Sequence, residues 1–231
     1  MALEFDGTNQ YVNVPNSSSL NITEGSWMVW FKVPSAESFK SLLVKRTIDV
    51  DHNSWGYWTA LRPTGYYEVG VSNNTPSYGY YKYGSVALDD NVIHHIVAIF
   101  SDSTDLKCYV DGMEVSGTYS GTKPTIIGYQ GEPLQFGRNG ESIKTTSWDA
   151  RVYNRVLSAN EIAEIYHRQG ADKVWQGLVG WWRMDEKTST QTASGAGSII
   201  DLSGNGNHGT PYNSPVYQES PHRLRRGVII S

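Results

Sequence analysis

Aromatic rings and amides crowd one stretch of this chain. Residues 55–83 hold Trp55, Tyr57, Trp58, Tyr66, Tyr67, Tyr78, Tyr80, Tyr81 and Tyr83, with Asn53, Asn73 and Asn74 beside them. Flat aromatic faces receive the C–H patches of pyranose rings, and amides pair with sugar hydroxyls. The same composition suits a protein interface, because Tyr and Trp are enriched at binding hot spots. Side chains alternate across a strand, so about half of the cluster must point inward as core. The candidate contact set is Asn53, Trp55, Trp58, Tyr66, Tyr78, Tyr80, Tyr81 and Tyr83.

Other chemistry is sparse. Glycoside hydrolysis needs two carboxylates, about 5 Å apart for retention and wider for inversion. Asp49-Val50-Asp51 and the pair Asp102 and Asp105 are the nearest approximations, and both sit in loop-like contexts. Nucleophile elbow, phosphate-binding glycine loop and zinc spacing are all missing. His94 and His95 are adjacent in a strand-like run and face opposite ways, so they cannot chelate one ion together. The single cysteine, Cys108, alternates with Leu106 and Val110 and reads as core, which leaves no internal disulfide. The expectation is a protein without enzymatic activity.

Strands must position these residues. Trp27, Val29, Phe31 and Val33 share one face of a period-two pattern, and Ser26, Met28, Trp30 and Lys32 share the other. Residues 94–100 are apolar on both faces past the histidines, as in a central strand. Residues 105–116 read as a hairpin turning at Asp111-Gly112, where both central residues need positive φ. Further strands are expected at 2–6, 10–14, 40–46, 55–62, 65–72, 77–83, 134–137, 147–153 and 178–184. Many short strands with regular turn signals indicate a sandwich. One helix stands out: Ser158 and Glu161 form a capping box, Ile162, Ile165 and Tyr166 make its buried stripe, and Gly170 ends it.

At 231 residues the chain is long enough for one large all-β domain. Its formal net charge of −4 argues against nucleic-acid binding by the domain as a whole. No apolar run approaches the roughly 18 residues needed to span a bilayer. Met1 leads directly into a strand-like Ala2-Leu3-Glu4-Phe5 rather than an export signal. An intracellularly assembled particle, a non-classical export route or a portion of a larger protein each fit that reading.

Three segments carry a family resemblance: Ala2 to Val14 around Phe5-Asp6-Gly7, Tyr109-Val110-Asp111-Gly112, and Ser147 to Glu161. Together they resemble the laminin-G-like branch of the concanavalin A-like lectin/glucanase superfamily, over roughly residues 2–168. The resemblance implies an all-β jelly-roll sandwich of two antiparallel sheets with one short helix near residues 158–169. It implies binding or adhesion more than catalysis, although one fold hosts many functions. The glucanase branch carries Glu-x-Asp-x-x-Glu or Glu-x-Asp-x-Glu on one strand, and that spacing does not occur in this chain. The resemblance also implies a structural calcium at the Asp149-Ala150-Arg151-Val152-Tyr153 segment. Asp149 is then the first ligand and Asp185 or Glu186 the second, with Asp6 and Asp201 as weaker options. The competing role for these residues is turn hydrogen bonding.

The C-terminal third, Gly177 to Glu186 and Asp201 to Thr210, resembles the opening of such a domain displaced to its end. Either the domain is circularly permuted, residues 177–210 closing the sheets beside residues 2–14, or a second repeat begins and is cut short. The roughly 20 residues after Thr210 are too few for a second sandwich, so a single domain over 1–231 is expected. Its tail, residues 221–231, couples Arg223, Arg225 and Arg226 to a β-prone Val228-Ile229-Ile230 run. It is either a last edge strand or a docking element.

These readings converge on a lectin-like surface protein, a virion capsid or tail decoration or adhesion protein binding host glycans. A lectin module of a secreted or cell-surface bacterial protein is the alternative, and a glycoside hydrolase the third. Expected partners are glycans and other virion or surface proteins, in a homo-oligomer or larger assembly. Nucleic acid, membrane insertion and a required cofactor are not expected, the structural calcium being an optional addition.

Overall fold

The computed structural model describes residues 1–36, 39–46, 55–73, 79–128, 131–138, 141 and 143–220. The chain opens with β1 (Ala2–Asp6), β2 (Tyr11–Val14), β3 (Gly25–Lys32) and β4 (Lys40–Arg46). Then come β5 (Trp55–Leu61), β6 (Tyr66–Val71), β7 (Tyr80–Ala87), β8 (Ile93–Ser101) and β9 (Asp105–Val110). Short strands β10 (Met113–Glu114), β11 (Thr118–Ser120) and β12 (Leu134–Phe136) lead to the long β13 (Lys144–Tyr153). Helix α1 (Ala159–Arg168) precedes β14 (Leu178–Trp182), β15 (Thr210–Tyr212) and β16 (Val216–Gln218).

Two antiparallel sheets result. The first runs β10-β9-β8-β3-β13-β1-β16, with β14 also on β13; the second runs β11-β7-β6-β5-β4-β12-β2-β15. Alternation decides what lies between them. Trp27, Val29 and Phe31 of β3 and Leu106 and Cys108 of β9 meet Tyr57, Leu61, Tyr67 and Val69 of the second sheet. Trp27 spans the gap: its ring lies 5.2 Å from that of Tyr57, and its indole N–H donates to the Trp58 carbonyl at 3.1 Å. Each such side chain stabilises the fold by roughly 1.5–3 kcal/mol through burial.

The long strand β13 has a divided edge. Residues 144–147 pair with β1 and residues 150–153 with β14. Its register against β3 shifts between Trp148 and Arg151, and Asp149 in that bulge adopts φ 45°. The C-terminal segment supplies strands to both sheets: β15 pairs with β2 and β16 with β1. Asp201 braces the turn between β14 and β15. It accepts from the backbone N–H of Trp181, Ser203 and Asn207, while Asn207 donates to the Val179 carbonyl.

Turn and cap chemistry match their sequence signals. Asp111 and Gly112 hold φ 50° and 81°, as a type I′ hairpin requires. Ser158 and Glu161 form the complete capping box, and the helix ends on Gln169 in the left-handed region with Gly170 following. Helix α1 then seals the outward face of the first sheet, packing Ile162 and Ile165 on Met28, Val97, Ile99 and Tyr153. Among the described residues no helix is long and apolar enough to cross a membrane.

Candidate functional site

The outward face of the second sheet is where the aromatic cluster reaches solvent. With Tyr57 and Leu61 in the core, Trp58, Ala60 and the following Arg62 have the opposite parity and point outward. By the same parity Tyr66, Glu68 and Gly70 of β6 point outward, as do Tyr81 and Tyr83 of β7. Register aligns them in rows: Trp58 beside Gly70 beside Tyr81, and Ala60 beside Glu68 beside Tyr83.

Gly70 makes the arrangement possible. A Cβ there would sit 2.0 Å from the Trp58 ring, so the missing side chain is the space the indole occupies. Lying across β6, Trp58 donates its indole N–H to Glu68 Oε1 at 3.0 Å. Arg62 donates from Nε to Glu68 Oε2 at 2.9 Å. The guanidinium carbon then stands 3.9 Å from the centroid of the Tyr83 ring and 5.5 Å from that of Tyr81. Tyr81 and Tyr83 are half-buried, 6.1 Å apart and tilted by 37°. A buried carboxylate thus orients a partly exposed cation over an aromatic ring, in a geometry that favours attraction to the ring face.

Four of the expected contact residues, Trp58, Tyr66, Tyr81 and Tyr83, therefore share this face, with two corrections to the set. Trp58 is only 1% exposed, so it is the floor of the site, not a contact surface. Its neighbours on the face, Val44, Ala60, Phe39 and Tyr81, pack against it. Tyr80 points the other way: its ring stacks on Tyr119 at 5.6 Å, and its hydroxyl donates to Asp105 at 3.0 Å. Adjacent strand residues cannot share a face, so Tyr80 and Tyr81 were never both available. Burial, helped by the Asp105 contact, pushes the Tyr80 hydroxyl pKa up. Trp55 opens β5 with its side chain outside the described ones. Asn53, Tyr78, Arg223, Arg225 and Arg226 lie outside the described residues. Arg62 and Glu68 were missed, although parity with Trp58 and Tyr66 was a signal that could have found them.

Asp149 belongs to a different device. Its two oxygens accept from Arg151 Nε and Nη2 at 2.9 and 3.0 Å, and Trp181 donates to Oδ1 at 2.6 Å. Arg151 also reaches both oxygens of Asp172, at 2.8 and 2.9 Å, and its Nη1 donates to the Tyr153 hydroxyl. Burial alone would raise the Asp149 pKa, but the Arg151 charge and these hydrogen bonds bring it below its ordinary value. The side chain read as a metal ligand is one arm of a buried ion triad. Asp185 pairs with Arg183 at 2.7 Å. Among the described residues no group of three or more His, Cys, Asp or Glu side chains is placed to hold a metal ion.

A polar cleft of about 400 Å³ opens at one end of the sandwich, between Ser19, Asn21, Thr23, Glu24, Asn154 and Asn205. The Asn21 carboxamide oxygen is buried there without a hydrogen-bond partner among the described residues. The cleft offers hydroxyls and amides but no aromatic side chain.

Comparison with known proteins places the fold. A family model described as the concanavalin A-like lectin/glucanases superfamily matches residues 6–163. Among solved structures, a Bacteroides ovatus ATCC 8483 protein provisionally described as carbohydrate binding superposes with a TM-score of 0.64 at 14% identity. The alignment covers 96% of this chain and 61% of that one, so the chain spans less than two thirds of that protein. The Ruminococcus gnavus IT-sialidase CBM40 bound to α2,3-sialyllactose gives 0.51 at 16% identity, covering 71% of this chain and 95% of that one. The binding domain of Paraclostridial Mosquitocidal Protein 1 gives 0.53 at 15%, covering 71% and 45%. A search of curated proteins returned no match.

Proposed function

The chain belongs to the concanavalin A-like lectin/glucanase superfamily, and from that premise we propose that it is a carbohydrate-binding module holding glycan, without hydrolysing it, on the outward face of β5–β7. The observation that carries the reading is the pair of half-buried rings, Tyr81 and Tyr83, flanking the oriented Arg62–Glu68 pair. Ring faces supply the apolar contact a pyranose needs, and fixed polar groups beside them supply orientation. Glu68 is engaged by Trp58 and Arg62 at its two oxygens, so it serves as a brace and not as a proton donor to a glycosidic bond. The sialyllactose bound by the R. gnavus module supports a glycan reading for a domain of this shape.

The test is calorimetric titration of the protein with glycans selected on an array, alongside Tyr83→Ala, Tyr81→Ala and Asn205→Ala variants. The expected result is at least a tenfold loss of affinity in the two tyrosine variants, with an unchanged circular dichroism spectrum. Binding that survives both and fails in Asn205→Ala would move the site to the polar cleft at the end of the sandwich.

The setting we propose is a surface, and in its finer form the capsid or tail of a virion. Its support is the basic segment Arg223, Arg225 and Arg226 joined to a β-prone run, a composition suited to docking on an acidic partner or an open sheet edge. Removing residues 221–231 should abolish assembly and leave glycan affinity unchanged; a truncated protein that still assembles sinks this form of the proposal.

A further inference from the structure

We propose that the glycan held on this face carries a carboxylate and that Arg62 reads it, an inference that rests on the face being a glycan site. A guanidinium offers five N–H donors in a planar fork. Glu68 takes the one at Nε, in an end-on contact, because its other oxygen is held by Trp58. Nη1 and Nη2 of Arg62 have no hydrogen-bond partner among the described residues, and the side chain is 30% exposed. Among the described residues the fork is therefore braced and unfilled.

The same molecule shows what a filled fork looks like. Arg151 also stands over an aromatic ring, 4.8 Å from Trp181, and there Nε, Nη1 and Nη2 are all engaged by two carboxylates and a hydroxyl. Arg62 has the ring and the first carboxylate, and a carboxylate on a ligand would complete the same pattern. A planar carboxylate matches the Nη1/Nη2 edge bidentately, whereas a sugar hydroxyl accepts one bond there and leaves the rest unmet. The Glu68 bond at Nε and the Tyr83 ring 3.9 Å from the guanidinium carbon hold the group in place for an approaching carboxylate. The sugar ring attached to it would then fall beside Tyr81 or Tyr66, the other outward-facing aromatic side chains of β6 and β7. Two sources share this chemistry, hexuronic acids and sialic acids.

The experiment titrates the protein with glucuronic acid-terminated and sialic acid-terminated oligosaccharides, each against its carboxyl methyl ester. Arg62→Lys and Tyr83→Ala are measured in parallel. The expected result is about tenfold or tighter binding of one acid over its ester, lost in Arg62→Lys, which keeps the charge but not the fork. Melting temperature checks that Arg62→Lys stays folded. Which acid binds identifies the source. If acids and esters bind equally and Tyr83→Ala abolishes both, the carboxylate proposal fails while the glycan site stands. If an acid is preferred and Arg62→Lys keeps the preference, another residue reads the carboxylate and the proposal fails. If neither class binds, or binding ignores both substitutions, the site reading fails with it.

Discussion

The two outward faces of the sandwich use the same parts to opposite ends. Each carries an arginine over an aromatic ring beside a buried carboxylate: Arg151 with Trp181 and Asp149, and Arg62 with Tyr83 and Glu68. On the first sheet the chain returns over the face, and the segment after α1 delivers Asp172 as the second carboxylate. Arg151 ends 1% exposed, with its charge fully answered. On the second sheet Arg62 stays 30% exposed, and among the described residues Glu68 is its one carboxylate partner. Composition does not separate a completed ion cluster from an open one; what separates the two here is whether a described residue brings a second carboxylate to the guanidinium.

The largest effect should come from breaking the completed one. Arg151→Met leaves Asp149 and Asp172 buried without their counter-charge, and denaturant unfolding should show about 3–5 kcal/mol of lost stability. If this substitution costs no more than the same change at Arg62, the contrast between the faces collapses.

Acid should attack the sealed face next. His95 is fully buried against Trp30, with ring centroids 4.5 Å apart and no hydrogen-bond partner for either ring nitrogen among the described residues. Burial pushes its pKa down from 6.5 to about 3. Between those values the unfolded chain binds a proton that the folded chain refuses, so stability falls as pH drops from about 6.5 toward 3. His95→Phe keeps a stacking ring and removes the proton site. Its stability should be flatter across that window, measured by melting at stepped pH; an unchanged slope would place the acid sensitivity elsewhere.

Sequence parity made most of the fold legible. Trp27, Val29 and Phe31 are inside as their alternation requires, the Asp111-Gly112 turn is type I′, and Ser158 caps the helix through Glu161. Register and long-range return are what parity cannot supply. Arg62 and Glu68 meet only because a turn at residues 62–65 folds β6 back beside β5, and Trp58 fits only because Gly70 falls opposite it. Asp149 lies on the strand expected at 147–153, but its pairing with Arg151 was not legible because neither the bulge in β13 nor the arrival of Asp172 is written locally. Counting aromatics could not say which rings face outward and which lie beneath, as Trp58 and Tyr80 demonstrate.

A smaller effect is expected at the open arginine. Arg62→Met keeps an apolar stem on Tyr83 and removes one charge-assisted bond, while Trp58 still donates to Glu68. Water can reach the exposed side of the pair, so the loss should be about 1 kcal/mol by the same unfolding measurement. A loss near that of Arg151→Met would mean that Arg62 is a structural ion after all.

The finest comparison uses two tyrosine hydroxyls. Tyr153, on the sealed face, donates to the Val174 carbonyl at 3.0 Å and accepts from Arg151, so Tyr153→Phe strands a buried carbonyl and should cost about 1 kcal/mol or more. The Tyr83 hydroxyl has no hydrogen-bond partner among the described residues, and its ring alone supports Arg62. Tyr83→Phe should therefore change stability by less than about 0.5 kcal/mol. Any loss of glycan affinity in that variant, with stability unchanged, would then report a hydrogen bond made to the ligand. Were Tyr83→Phe to destabilise as much as Tyr153→Phe, the open face would be held by its hydroxyls as the sealed one is. Its rings would then be structure first, and the site would have to be sought at the polar cleft.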